Sequence, residues 1–160
     1  MSEQKIDGAL GFLLNKGTQA LHRQLNRNFI SNGLEITSEQ WSVLVFLYHC
    51  DCKSQNEIAE KTFRDKVSVT KIIDNLEKHS LVFRTPDEKD RRVKRIVLTK
   101  DGKKLVPKLK KIVFSTLTEG FNNVKEKDME SFKLVLSQIV KNFTGEDLLG
   151  FINTNKGRWK

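Results

Sequence analysis

RDKVSVTKIIDNLEKHSLVFRTPDEKDRRVKRIVLT, residues 64–99, is the stretch from which the rest of the chain can be read. Asp65 can cap a helix that ends near His79. Val69, Ile72, Ile73 and Leu76 fall on one face of it, and Val67, Lys71, Asp74 and Lys78 on the other. Two segments with the alternation of strands follow, 81–85 and 94–98, with Val82, Arg84, Ile96 and Leu98 as members. Between them lies the turn-prone loop Pro86-Asp87-Glu88-Lys89-Asp90-Arg91-Arg92. A helix can fill a major groove, and an extended arm carrying arginines can reach the neighbouring minor groove. The stretch is therefore expected to bind duplex DNA.

Upstream, Ser54-Gln55-Asn56-Glu57 has the form of a capping box and opens a short helix to about Thr62, with a break at Phe63-Arg64. Two short helices joined by a tight break make a helix-turn-helix pattern. Thr37-Ser38-Glu39-Gln40 is a second capping box, followed by Trp41, Leu44, Val45 and Tyr48 on one side of a helix ending near Cys50-Asp51-Cys52. Before it, Leu10, Leu13, Leu14, Gly17, Leu21, Leu25 and Phe29 form a helical stripe that Asn32-Gly33 stops.

Downstream, Thr99 caps a long helix with Asp101 in its first turn. Its apolar members run Leu105, Leu109, Ile112, Val113, Leu117, Phe121 and Val124. Pro107 should kink it near Lys103, whose carbonyl loses its partner. A last helix from about Asp128 carries Met129, Phe132, Leu136, Ile139, Val140 and Phe143 and stops at Gly145, leaving a tail with Leu148, Leu149, Phe151, Ile152 and Trp159. The fold expected is mainly α: a winged helix-turn-helix module over 34–99, flanked by dimerisation helices in 1–33 and 100–160. The outer stripes carry more apolar surface than a small module can cover, and two-fold pairing is the commonest cover. Leu10, Leu13, Leu117, Phe121, Phe132, Leu136, Ile139 and Phe143 are the expected contacts of that homodimer.

Charge placement agrees. Residues 64–111 hold sixteen Lys/Arg against seven Asp/Glu, and the remaining charges balance at thirteen of each sign. The whole excess of +9 therefore sits in one third of the chain. Concentrated basic charge neutralises phosphates and releases counterions, giving an affinity that falls with salt. A length of 160 residues suits one domain, or one compact domain with an association element. The longest apolar run, 43–48, is far short of a membrane span. With no secretory leader visible and only Cys50 and Cys52, the cytoplasm is the expected address. A redox switch at these thiols would need a cationic setting, and Lys53 is opposed by Asp51. His22, His49 and His79 do not pair with them at metal-ligand spacing, so no metal or cofactor is expected, and ordinary thiols remain the favoured reading. No Ser-His-Asp set or glycine-rich phosphate loop suggests an enzyme.

Asp90-Arg91-Arg92 with Ile96, Leu98 and Thr99 resembles the wing signature of the MarR family: Asp, any residue, Arg, three residues, an aliphatic, any residue, Leu, Thr. Gly102 and Leu105 continue it. The segment from Val69 to Glu77 resembles the family's recognition helix, Leu81-Val82 the approach to its wing, and Thr37 to Leu44 its second helix. The likeness covers about residues 8–143. It implies a triangular homodimer with the terminal helices at its apex and winged modules at its lower corners. It also implies repression or activation of nearby genes through a pseudo-palindromic operator, often relieved by a small ligand, and a ligand-responsive repressor is the form expected.

On that resemblance Arg92 is the minor-groove residue, since narrow A·T-rich grooves concentrate negative potential. Lys89, Arg91, Lys94 and Arg95 are expected on phosphates, and Asp90 is expected to orient an arginine or the turn backbone. Asp65 could pair with Arg92. Arg64, Lys66, Val67, Ser68, Thr70 and Lys71 lie towards base edges, with Val67 able to pack on a thymine methyl. Ser54 and Gln55, at a helix N-terminus, could hold a phosphate through backbone N–H groups. A small-molecule effector would meet Phe12, His22, Phe29, Trp41 and Phe46, each of which also reads as core. The alternative function is a winged-helix protein–protein interaction module without base readout. Sequence-specific competition at physiological salt separates the two.

Overall fold

The computed structural model describes residues 8–154, so Trp159 lies outside the described residues. The order is α1 (Gly8–Ser31), α2 (Ser38–His49), β1 (Lys53–Ser54), α3 (Gln55–Lys61), α4 (Lys66–Lys78), β2 (Val82–Pro86), β3 (Lys94–Leu98), α5 (Lys100–Gly120), α6 (Glu126–Thr144) and α7 (Leu148–Thr154). This is the mainly helical winged helix-turn-helix expected from the sequence. The chain divides at Gly120 into two compact units.

Local chemistry starts α2 and α3. Thr37 Oγ1 accepts from the Gln40 amide at 3.2 Å while the Gln40 side chain accepts from the Thr37 amide at 2.9 Å, closing the first capping box. Ser54 and Glu57 repeat the arrangement at 3.2 and 2.8 Å. These reciprocal bonds satisfy two amides that an α-helix leaves without partners. Gly33, at φ 72°, turns the chain out of α1.

The sheet is antiparallel in the order β1-β3-β2. Val82 stands opposite Leu98, and Arg84 opposite Ile96. Strand β1, paired through Lys53 with Ile96, was not expected; two residues are too few to show a period. The core gathers Leu25 and Phe29 of α1, Val43, Leu44 and Leu47 of α2, Ile58 of α3, Val69, Ile73 and Leu76 of α4, Val82, Ile96 and Leu98 of the sheet, and Val106 and Leu109 of α5. Helices α1 and α5 are thus built into the same core as the winged module.

Helix α5 continues through Pro107 but ends at Gly120, short of the expected Phe121 and Val124. In the second unit, α6 stops at Gly145 in the left-handed conformation, φ 76°, as expected. The segment read as a tail forms α7 instead. Helix α6 leaves Phe132, Leu134, Val135 and Phe143 exposed.

Candidate nucleic-acid interface

The N-terminal turn of α4 is fixed by Asp65, whose carboxylate accepts from the Ser68 amide at 2.9 Å and the Ser68 hydroxyl at 2.6 Å. Those bonds, the hydroxyl's foremost, hold its pKa below the ordinary carboxylate value. Asp65 is therefore committed to the cap and does not pair with Arg92, contrary to the sequence expectation. Just beyond it, Lys66, Val67 and Lys71 project into solvent, with Val67 64% exposed. Gln55 joins α3 to α4 by donating to Thr70 Oγ1 at 3.0 Å. Ser54 is the α3 cap, as its sequence position implied.

Two aspartates build the tip of the wing. Asp87 Oδ1 accepts from the Lys89 amide at 2.8 Å and the Asp90 amide at 3.0 Å, and Asp90 Oδ1 accepts from the Arg92 amide at 3.0 Å. Asp90 thus orients the turn backbone. The amide of Asp90 and the Arg95 guanidinium together push the Asp87 pKa down to about 2. The folded turn leaves Lys89, Arg91, Arg92 and Lys94 exposed. None of these four has an ion pair among the described residues.

The other arginines of this region behave differently. Arg84 of β2 reaches Asp74 at 2.5 Å and also Glu77 of α4, while its Nε donates to Gln55 at 3.4 Å. Burial works against its charge, but the two carboxylates outweigh that and raise its pKa. Arg95 of β3 holds Asp87 at 2.5 Å and Glu57 of α3 at 2.8 Å. Arg64 is half-buried with Nη1 3.9 Å from Glu39. Two guanidinium clamps therefore tie the wing to the helix-turn-helix, and Arg95, expected on a phosphate, is one of them. Arg84 was not singled out in the sequence. Its signal was the pair Asp74 and Glu77, one helical turn apart, ten and seven residues before an arginine in a strand.

The effector candidates are not alike. Phe29 is completely buried in the core, and Trp41 and Phe46 pack against it half-buried. His22 is half-buried too, whereas Phe12 is exposed with the Lys16 ammonium 5.6 Å from its ring centre. Among the homodimer candidates, Leu10 and Leu13 are exposed and Leu117 is half-buried. In the second unit Phe121, Phe132 and Phe143 are exposed, while Leu136 and Ile139 are half-buried. The rings of Phe121 and Phe132 lie 6.3 Å apart. Cys52 is exposed and Cys50 half-buried, and among the described residues no group of three or more His, Cys, Asp or Glu could hold a metal ion.

Residues 36–94, from the end of the α1–α2 loop to the first residue of β3, match the MarR family. This segment belongs to the MarR family of winged-helix proteins. The chain is 30% identical over 93 residues to the HTH-type transcriptional regulator PapX of Escherichia coli, an alignment spanning 58% of this chain and 57% of PapX. It is similar to a MarR transcriptional regulator from Methanosarcina mazei Go1, with a TM-score of 0.78 and 26% identity over 85% of this chain and 96% of that one. A MarR-family regulator from Rhodococcus sp. RHA1 gives a TM-score of 0.73 and 25% identity over 86% of this chain and 96% of the other. The matched segment contains the Arg84 clamp, the whole wing tip and both carboxylate partners of Arg95, and it stops one residue short of Arg95 itself.

Proposed function

We propose that this chain is a sequence-specific DNA-binding regulator of transcription. It acts as a homodimer on an inverted-repeat operator, and it represses until a small-molecule effector releases it. The reading rests above all on the division among its arginines. Arg84 and Arg95 are fixed to carboxylates, whereas Arg91 and Arg92 stand exposed at a tip whose backbone two aspartates organise. Free cations held on a stiff turn fit a phosphate-lined minor groove. Lys66, Val67 and Lys71 at the start of α4 would face the adjacent major groove. The regions 1–33 and 100–160 supply the dimerisation helices around the module 34–99, and the exposed apolar stripe of α6 supports that role. His22, Trp41 and Phe46, half-buried on α1 and α2, are the side chains offered to an effector.

Selection of bound sequences from a random duplex library at about 150 mM salt, where loose electrostatics are screened, tests this reading. An inverted repeat with half-site centres about one helical turn apart is the expected product. A folded dimer that enriches no motif would point to an interaction module without base readout.

A further inference from the structure

Helix α5 carries six lysines between positions 100 and 111, and they divide into two kinds. Lys103 reaches Asp51 at 3.6 Å, and the ammonium of Lys110 sits 5.4 Å from the Tyr48 ring centre, half-buried. Both lean on neighbouring elements. Lys100, Lys104, Lys108 and Lys111 are exposed, and none has an ion pair or acceptor among the described residues. At about 100° per residue these four share one stripe, opposite the side that buries Val106 and Leu109. Like charges three and four residues apart repel. A helix face kept merely wet would mix signs, yet Asp101 is the one acidic residue in this span.

We infer that this stripe is a second, sequence-independent surface for duplex DNA, holding backbone outside the bases met by α4 and the wing; the inference rests on the DNA-binding reading above. Continuity singles out DNA as the occupant. The stripe begins one residue after Thr99, whose hydroxyl donates at 2.7 Å to the carbonyl of Ser80, two residues past the exposed last residue of α4, Lys78. The C-terminal end of the recognition helix, with the exposed Lys78, is thus hydrogen-bonded to the start of α5, beside its first exposed lysine, Lys100. Spacing agrees as well. Lysines four residues apart advance about 6 Å along the helix, and one DNA strand presents a phosphate every 3.4 Å of duplex axis. Flexible ammonium stems can therefore each find a phosphate without reading a base.

The test compares the full chain on two duplexes: the selected operator at minimal length, and the same operator with random flanks of about twenty base pairs a side. Wild type should bind the flanked duplex more tightly. Its slope of log affinity against log salt there should exceed that of K100Q/K104Q/K108Q/K111Q by up to about 3.6 for each bound subunit, so each stripe's part of the affinity falls about 100-fold between 50 and 200 mM salt. The quadruple variant should lose the gain from the flanks but keep its base preference on the short duplex, and the corresponding four Lys→Arg changes should restore the gain. Should the quadruple variant not fold, K104Q/K108Q is expected to lose about half the gain in slope. A length gain that survives neutralisation overturns the proposal. So does a wild-type protein that gains nothing from flanks, which would favour an acidic protein as the partner. If selection yields no operator, the regulator reading fails, while the length series on random duplex still decides the fate of the stripe.

Discussion

Gly102 stands where α5 leaves the wing, and a Cβ there would lie 2.2 Å from the Leu81 carbonyl oxygen. That oxygen also accepts from the Thr99 amide at 3.0 Å, so it cannot simply move aside. Gly102→Ala should therefore cost about 1–3 kcal/mol, the usual range for overpacking, and thermal melting would register it as a lower Tm. A second contrast separates two arginines three positions apart. Arg92→Ala removes an unpaired exposed side chain and should weaken specific binding by roughly 1–3 kcal/mol while Tm moves by no more than a degree or two. A large fall in Tm would make Arg92 structural. Arg95 was legible in the sequence as a basic residue but not as a clamp, because its partners Glu57 and Asp87 lie on other elements. Acid titration reads that clamp. The folded pKa of Asp87, about 2, lies below its ordinary value of 3.8. Its contribution to stability is thus complete above about pH 4 and disappears as pH falls through 2. Carboxyl chemical shifts should place the Asp87 midpoint near 2, and Arg95→Ala should move it upward; an unchanged midpoint would exclude the pairing.

Elements were legible to the extent that their ends carry side-chain chemistry. The two capping boxes and the Asp65 cap placed α2, α3 and α4 within a residue or two because each uses residues adjacent in the chain. Helix α5 was read four residues too long, since Leu117, Phe121 and Val124 keep helical spacing across Gly120, where the backbone loses the helix preference of other residues. Strand β1 exists only through its pairing with β3, which no local pattern reports. The attachment of β2 to α4 is of the same long-range kind. Arg84 joins them through Asp74 and Glu77, and the half-exposed setting of both carboxylates limits the worth of each pair to about 1 kcal/mol or less. Arg84→Ala should therefore change Tm little. It should, however, speed amide exchange across β2 and β3 and lower specific DNA affinity by about tenfold, because the tip arginines lose a fixed bearing. Retention of full affinity with a loosened wing would show that the tip needs no clamp.

At the scale of the whole molecule the unpaired apolar surface sets the expectation. On α6, Phe132, Val135, Leu136, Ile139 and Phe143 recur at spacings of three and four, and Phe143 is 85% exposed. Helical periodicity in the sequence was enough to find this stripe, whereas what covers it depends on surfaces outside one chain. Apolar stripes of this kind are unusual on a monomer, and a two-fold partner offers each stripe an equivalent one. Phe132→Asp or Leu136→Asp would bring a charge into that contact, where no counter-charge on the stripe awaits it. Sedimentation at micromolar concentration should then report monomer mass, or circular dichroism should report loss of the fold. Where the variant stays folded, its affinity for an isolated half-site should match wild type, and its affinity for the full inverted repeat should fall by about 100-fold or more. The second half-site would no longer be held at high effective concentration by the first. A folded variant that remains fully dimeric and keeps its affinity for the repeat would move the dimer contact away from α6. The helices around α1 would then be the next place to look, through the exposed Leu10 and Leu13.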